Sequence, residues 1–93
     1  MSIELSAIVC PTAGHDKGVL MCVIDTEGEY LTLADGKLRK IEHPKLKKAK
    51  HVILVGMPSG ETASRIQNRE KVTNNEIKKL IAEYSAIREI IRR

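Results

Sequence analysis

The sequence contains no phenylalanine and no tryptophan, and it has only two tyrosines, Tyr30 and Tyr84. Proteins that bind single-stranded nucleic acid commonly stack the bases on aromatic side chains. Tyr84 belongs to a helical apolar pattern, so one tyrosine remains for such a purpose. This composition excludes an aromatic base-stacking platform of the RRM or OB type.

Long apolar runs are also missing. The longest covers residues 19–24 and is far too short to cross a bilayer. Residues 1–4 lack both the basic start and the apolar stretch of a signal peptide. We therefore expect a cytoplasmic protein without a membrane partner.

Cysteine is scarce: Cys10 and Cys22 both stand in apolar stretches, and they do not form a Cys-x-x-Cys pair. The pattern favours buried, reduced thiols that act as small hydrophobic side chains. The alternatives are a structural disulfide or a metal site. A metal site would need His15, His43 or His51, whose spacing matches no common zinc pattern. The sequence predicts no metal and no cofactor.

No arrangement of residues predicts an enzyme. Catalysis by a nucleophile needs a neighbouring base and an oxyanion donor in a cleft, and no Ser/His/Asp or Cys/His pattern carries a supporting motif. His15 and Asp16 are adjacent, but neighbours in a turn usually point apart. We predict no catalytic residue.

Basic charge is concentrated in one segment. The chain of 93 residues is long enough for one domain only. Its net charge is +4, but residues 37–51 hold seven basic residues and one acid, a net of +6 that leaves −2 for the remainder. Such a concentration is typical of a surface that binds a polyanion, and a solvated basic loop is the alternative.

The first two thirds of the chain predict a small antiparallel sheet. Short apolar or alternating segments are separated by turn residues, and Asp35-Gly36 is a strong signal for a tight hairpin turn. Parallel strands would need longer crossovers than this length allows. The five predicted strands are residues 6–10, 19–25, 30–33, 38–41 and 52–55, which form a barrel over residues 1–56.

The last third predicts a helix over residues 73–93, with residues 57–72 as a connection. Within this connection, Ser59-Gly60-Glu61 suggests the cap of a shorter helical stretch through Gln67, with Ala63 and Ile66 facing inward. Thr73 and Glu76 have the spacing of a capping box, and Val72 and Ile77 that of a hydrophobic staple. Apolar residues then recur every three or four positions, at Ile77, Leu80, Ile81, Tyr84, Ile87, Ile90 and Ile91. Because residues 19–24 are apolar at every position, we expect this helix to cover the outer face of their strand.

The segment Gly14-His15-Asp16-Lys17-Gly18 lies between two apolar strands and resembles the KOW motif, Gly-x-x-Lys-Gly, of ribosomal proteins and transcription elongation factors. Together with the basic run, residues 6–54 are similar to the archaeal and eukaryotic large-subunit ribosomal KOW proteins of the L-fourteen-e type and their short bacterial relatives. Many KOW motifs have a further glycine where this chain has Met21, but the ribosomal branch commonly lacks it too.

The resemblance implies an SH3-like barrel that binds structured RNA, above all ribosomal RNA, on the ribosome. Contacts would go to phosphates and 2′-hydroxyls, with Arg39 suited to a bidentate contact. The predicted RNA-binding residues are Gly14, His15, Lys17, Gly18, Lys37, Arg39, Lys40, Lys45, Lys47, Lys48 and Lys50. The alternative function is an SH3-like module that binds an acidic protein partner. The sequence leaves open whether the protein dimerises through its C-terminal helix.

Overall fold

The computed structural model describes residues 3–85 and has a mainly β fold with helices at its C-terminal end. This confirms the predicted fold class. The described elements are β1 (Ile8–Pro11), β2 (Met21–Glu27), β3 (Tyr30–Ala34), β4 (Lys45–Lys48), a 3₁₀ turn (Ala49–His51), β5 (Val52–Gly56), α1 (Glu61–Gln67) and α2 (Asn74–Ala82).

The five strands form one antiparallel sheet in the order β4-β3-β2-β1-β5. The two edge strands, β4 and β5, follow each other in the chain and are joined by the single 3₁₀ turn. The sheet has the form of a small SH3-like barrel. Within residues 3–85 the strands β4 and β5 do not pair, so the barrel is open between these two edges. The open side places the lysine-rich β4 at one edge.

The strand β2 is buried on both faces at its start, as predicted. Met21, Cys22 and Val23 are all fully buried. One face joins a cluster with the helices, whose buried members are Ile8, Cys10, Leu20, Cys22, Ile66, Ile77 and Leu80. The other joins the barrel interior with Ala7, Val9, Met21, Val23, Leu31 and Leu33. The apolar helix surface therefore covers the outer face of the sheet.

Both cysteines are buried, in agreement with the sequence. The Cys22 thiol donates a hydrogen bond to the Ser6 carbonyl oxygen at 3.5 Å. Burial raises the pKa of Cys22 to about 12, because the thiolate would lose its hydration there. Cys22 thus behaves as a protonated, packed side chain.

The capping box of α2 is formed as predicted. The Thr73 side chain accepts a hydrogen bond from the Glu76 N–H at 3.1 Å, and the Glu76 carboxylate accepts one from the Thr73 N–H at 2.9 Å. The Thr73 N–H, followed by the Arg65 guanidinium, holds the pKa of Glu76 below its usual range. Helix α1 is also present, with Ala63 and Ile66 buried as expected.

Helix α2 forms the first part of the helix predicted over residues 73–93, and Ser85 is helical again after a two-residue turn. Helix α2 ends at Ala82, and the Tyr84 N–H donates to the Ile81 carbonyl oxygen in a tighter turn. The predicted continuation through Ile87, Ile90 and Ile91 lies outside the described residues. No helix in the part of the chain that the structure describes is long and apolar enough to cross a membrane.

The predicted strand at residues 38–41 and the predicted hairpin turn at Asp35-Gly36 are wrong. These residues belong to an irregular β3–β4 loop (residues 35–44). Asp35 Oδ1 accepts hydrogen bonds from the N–H groups of Lys37 at 2.9 Å and Arg39 at 2.7 Å. The side chain thus binds N–H groups that a strand would offer to its neighbour. The fourth strand forms further on, as β4.

Candidate nucleic-acid interface

The KOW-like segment lies in the β1–β2 loop (residues 12–20), which turns sharply at two glycines. Gly14 and Gly18 have φ angles of +84° and +81°, a left-handed conformation that glycine adopts without strain. The Lys17 N–H donates to the Gly14 carbonyl oxygen at 3.2 Å, and the Gly18 N–H donates to that of Pro11 at 3.1 Å. These hydrogen bonds give the loop a defined shape with Lys17 exposed.

Asp16 connects this loop to the β3–β4 loop. Its carboxylate is almost fully buried and accepts two hydrogen bonds from Arg39, from Nε and Nη2, each at 3.2 Å. A carboxylate this buried requires a partner. Arg39, predicted as a bidentate RNA ligand, therefore holds the β1–β2 loop in place, and the planar fork that would face a phosphate faces Asp16.

Lys47 of β4 contacts the β1–β2 loop from its other end. Its Nζ donates a hydrogen bond to the Ala13 carbonyl oxygen at 3.1 Å. A Cβ atom at Gly14 would lie only 3.0 Å from the same Nζ. Glycine at this position therefore serves both the left-handed turn and the approach of Lys47. The loop lies between Lys47 and Arg39.

The lysines of β4 do not share one face. Lys47 pairs with Leu31, whose side chain belongs to the barrel interior, whereas Lys48 pairs with Tyr30. Residues directly opposite on antiparallel strands point to the same side, so Lys47 and Lys48 point to opposite sides. Lys48 Nζ lies 5.7 Å from the Tyr30 ring centroid and 3.2 Å from Glu29 Oε1. The predicted basic run is thus divided between two surfaces.

Most of the other predicted residues are accessible. His15, Lys17, Lys37, Lys40 and Lys50 are exposed, and Lys50 belongs to the 3₁₀ turn. Lys45 and Gly18 are partly buried. Lys45 pairs with Leu33 and so shares the side of Lys47.

The sequence pattern did not identify Asn74 and Lys78 of α2 as neighbours of the β3–β4 loop. The Asn74 side chain accepts a hydrogen bond from the Ile41 N–H at 2.9 Å and donates to Glu42 at 3.0 Å. A Cβ at Gly36 would lie 3.1 Å from Lys78 Cγ. The sequence does place Asn74 and Lys78 on one helix face, because they are four residues apart. This spacing is the signal that could have identified them as a pair.

Among residues 3–85, no three His, Cys, Asp or Glu side chains form a group that could hold a metal ion. The geometry instead provides a shaped loop flanked by cations. A scan against protein-family models finds no matching family. A search of curated proteins finds no match either.

Proposed function

We propose that this protein binds structured RNA, primarily ribosomal RNA, in the cytoplasm, as a ribosome-associated or ribosomal-protein-like factor rather than an enzyme. The observation that carries the proposal is the β1–β2 loop, whose two left-handed glycines expose Lys17 while Arg39 and Lys47 hold the loop from either end. The resemblance of this loop to the KOW motif supports the same function.

The charges near the loop favour contacts with phosphates. The Arg39 charge is compensated by Asp16, whereas Lys17, Lys37 and Lys47 form no ion pair within residues 3–85. A duplex or folded RNA presents its backbone as a rigid array of phosphates, which a preformed loop can match by shape. With three phosphate contacts, log affinity should fall with log salt at a slope of about −3.

The pair Lys47 and Lys48 offers a matched test, because these neighbours carry the same charge on opposite sides of β4. Lys47→Gln should weaken binding to many RNAs alike and make the salt slope shallower by about 0.9. Lys48→Gln should change binding little, since Lys48 already pairs with Glu29. Fluorescence anisotropy with labelled ribosomal RNA hairpins, at several salt concentrations, measures both effects. A slope near zero for the unmodified protein would refute the proposal.

The ribosomal part of the proposal needs a separate experiment. A tagged copy should sediment with ribosomes through a sucrose gradient at low salt and be released at high salt, because phosphate contacts are screened. Lys47→Gln should be released at lower salt than Lys48→Gln. If the tagged protein stays at the top of the gradient under every condition, the proposed binding to the ribosome is refuted. RNA binding itself would then be tested by the anisotropy titrations alone.

A second candidate function is an SH3-like module that binds an acidic protein partner. Leu46 is 62% exposed on the edge strand β4, between Lys45 and Lys47. An extended acidic peptide could add to this edge as a further strand and pair with the lysines. Leu46→Ser should weaken peptide binding without changing the RNA salt slope, so the two functions can be separated in the same titrations.

A further inference from the structure

A groove of about 270 Å³ lies where the β3–β4 loop, the end of the β1–β2 loop and helix α2 meet. Apolar side chains line part of it, among them Val19, Leu20 and Ile81. Lys37 from the β3–β4 loop and Lys78 from α2 line the same groove, as does Asp35, whose Oδ1 accepts hydrogen bonds from the Lys37 and Arg39 N–H groups. An apolar surface beside two cations suits a ligand with a flat apolar part and a negative charge.

Gly36 makes this junction possible. Its φ angle is +78°, and a Cβ atom there would collide with the carbonyl oxygen of Asn74. The absence of a side chain therefore lets the β3–β4 loop contact the first turn of α2. That close contact places Lys37 and Lys78 along one groove.

The groove adjoins the proposed RNA-binding loop. Val19 directly follows the Gly14–Gly18 segment in the chain and lines the groove. Asp35 also lines it and holds the Arg39 N–H, while the Arg39 side chain holds Asp16. The end of the loop that carries Lys17 therefore forms one border of the groove.

We propose that the groove takes one unpaired nucleotide of the bound RNA, with its base against the apolar side chains and its phosphate between Lys37 and Lys78. The proposal rests on the proposed function and names the kind of RNA that is preferred. Enzymes that take a nucleotide out of the stack hold its base between aromatic or apolar side chains. Since the chain has only two aromatic residues, the groove suits a single nucleotide rather than a stacked strand.

The test compares an RNA hairpin with a single-nucleotide bulge and the same hairpin without it. The unmodified protein should prefer the bulged RNA by about fivefold, the lower end of what a stacked base contributes. Ala82→Leu, at an exposed helix position that lines the groove, should abolish the preference without weakening binding to the uninterrupted hairpin. Lys78→Gln should reduce the preference, whereas Lys79→Gln on the same helix serves as the charge-matched control.

A 2-aminopurine base at the bulge reports the environment of the nucleotide itself. Its emission should change on binding to the unmodified protein and to Lys79→Gln, and much less on binding to Ala82→Leu. Circular dichroism melting curves of the variants confirm that each is folded at the titration temperature. This readout makes the result independent of small changes in affinity.

The outcomes separate the two proposals. Equal affinity for both hairpins, unaffected by Ala82→Leu and Lys78→Gln, would overturn the nucleotide groove and leave RNA binding standing. Failure to bind either hairpin would overturn both. If a free nucleoside monophosphate shifted the NMR signals of the Leu20 and Ile81 methyl groups as strongly as the bulged RNA, the site would be one for a free nucleotide. Competition by an acidic peptide alone would assign it to a protein partner.

Discussion

Replacing Gly36 by alanine should destabilise the protein far more than the same change at Gly18. The two glycines share a left-handed backbone, with φ angles of +78° and +81°. They differ in their surroundings, since a Cβ at Gly18 meets no atom within 4 Å, whereas one at Gly36 collides with the backbone of Asn74. The pair therefore isolates the contact between the β3–β4 loop and α2 from the backbone strain.

The expected magnitudes follow from these surroundings. An alanine in the left-handed conformation destabilises the folded state by about 1–2 kcal/mol. The lower conformational entropy of the unfolded alanine variant offsets about 0.4–1 kcal/mol of this loss. Gly18→Ala should therefore lower the free energy of unfolding by about 1 kcal/mol. Gly36→Ala adds a steric collision with backbone atoms, which cannot rotate away, at about 1–3 kcal/mol. If Asn74 shifts to relieve this collision, its hydrogen bond with the Ile41 N–H, 2.9 Å long, is strained as well. The total for Gly36→Ala should reach about 2–5 kcal/mol.

Urea unfolding followed by far-ultraviolet circular dichroism measures both variants, since a chain without tryptophan gives a weak fluorescence signal. For a domain of this size, the free energy of unfolding changes by about 1 kcal/mol per molar urea. The midpoint should fall by about 1 M for Gly18→Ala and by about 2–5 M for Gly36→Ala. Equal shifts would show that α2 does not contact this loop closely in solution and would refute the basis of the groove.

Two further substitutions test the core and the helix cap. Val23→Asp should lower the free energy of unfolding by several kcal/mol and unfold the domain. Val23 is fully buried, so an aspartate there would have neither water nor a partner for its charge. An unchanged melting curve would contradict the burial of β2 on both faces. Thr73→Ala removes the side chain that accepts from the Glu76 N–H and should lower the free energy of unfolding by about 0.5–2 kcal/mol in the same urea assay. No change in that midpoint would mean that the cap contributes nothing in solution.

The elements that the sequence predicted correctly depend on local signals. The capping box needs only Thr73 and Glu76, three residues apart, and both hydrogen bonds form. The apolar run that includes Met21 and Val23 has no polar face to offer to water, so burial on both sides follows from composition alone. In the first case the two interacting residues are close in the chain. In the second, the tendency of apolar side chains to leave water predicts burial, whichever element covers the strand.

The fourth strand was predicted wrongly because Asp35 and Gly36 make contacts, one local and one distant, that differ from those of a hairpin turn. Asp35-Gly36 has the composition of a hairpin turn, but Asp35 caps the loop and Gly36 contacts α2, more than thirty positions away. The strand that pairs with β3 is instead Lys45–Lys48, which has low intrinsic β-propensity. Lysines are well tolerated at a sheet edge, where they discourage pairing with other chains.

The candidate site was predicted in its charges but not in their arrangement. Which lysines face the β1–β2 loop depends on the register of β4, since a shift by one residue would exchange Lys47 and Lys48. The partner of Arg39 is Asp16, 23 positions earlier, and nothing in the local sequence of either residue shows the pairing. A charge count therefore overestimates how many cations face one ligand.

The β3–β4 loop connects the β1–β2 loop to helix α2. On one side, Asp35 orders the backbone of Arg39, and Arg39 binds Asp16 of the β1–β2 loop. On the other side, Gly36 and Ile41 contact the first residue of α2, Asn74. Because a ligand that binds only the ordered state stabilises that state, we expect the proposed RNA ligand, once bound at the β1–β2 loop, to favour the docked helix as well. The close contact of Gly36 with α2 is also what brings Lys78, far from the β1–β2 loop in sequence, to the proposed nucleotide groove.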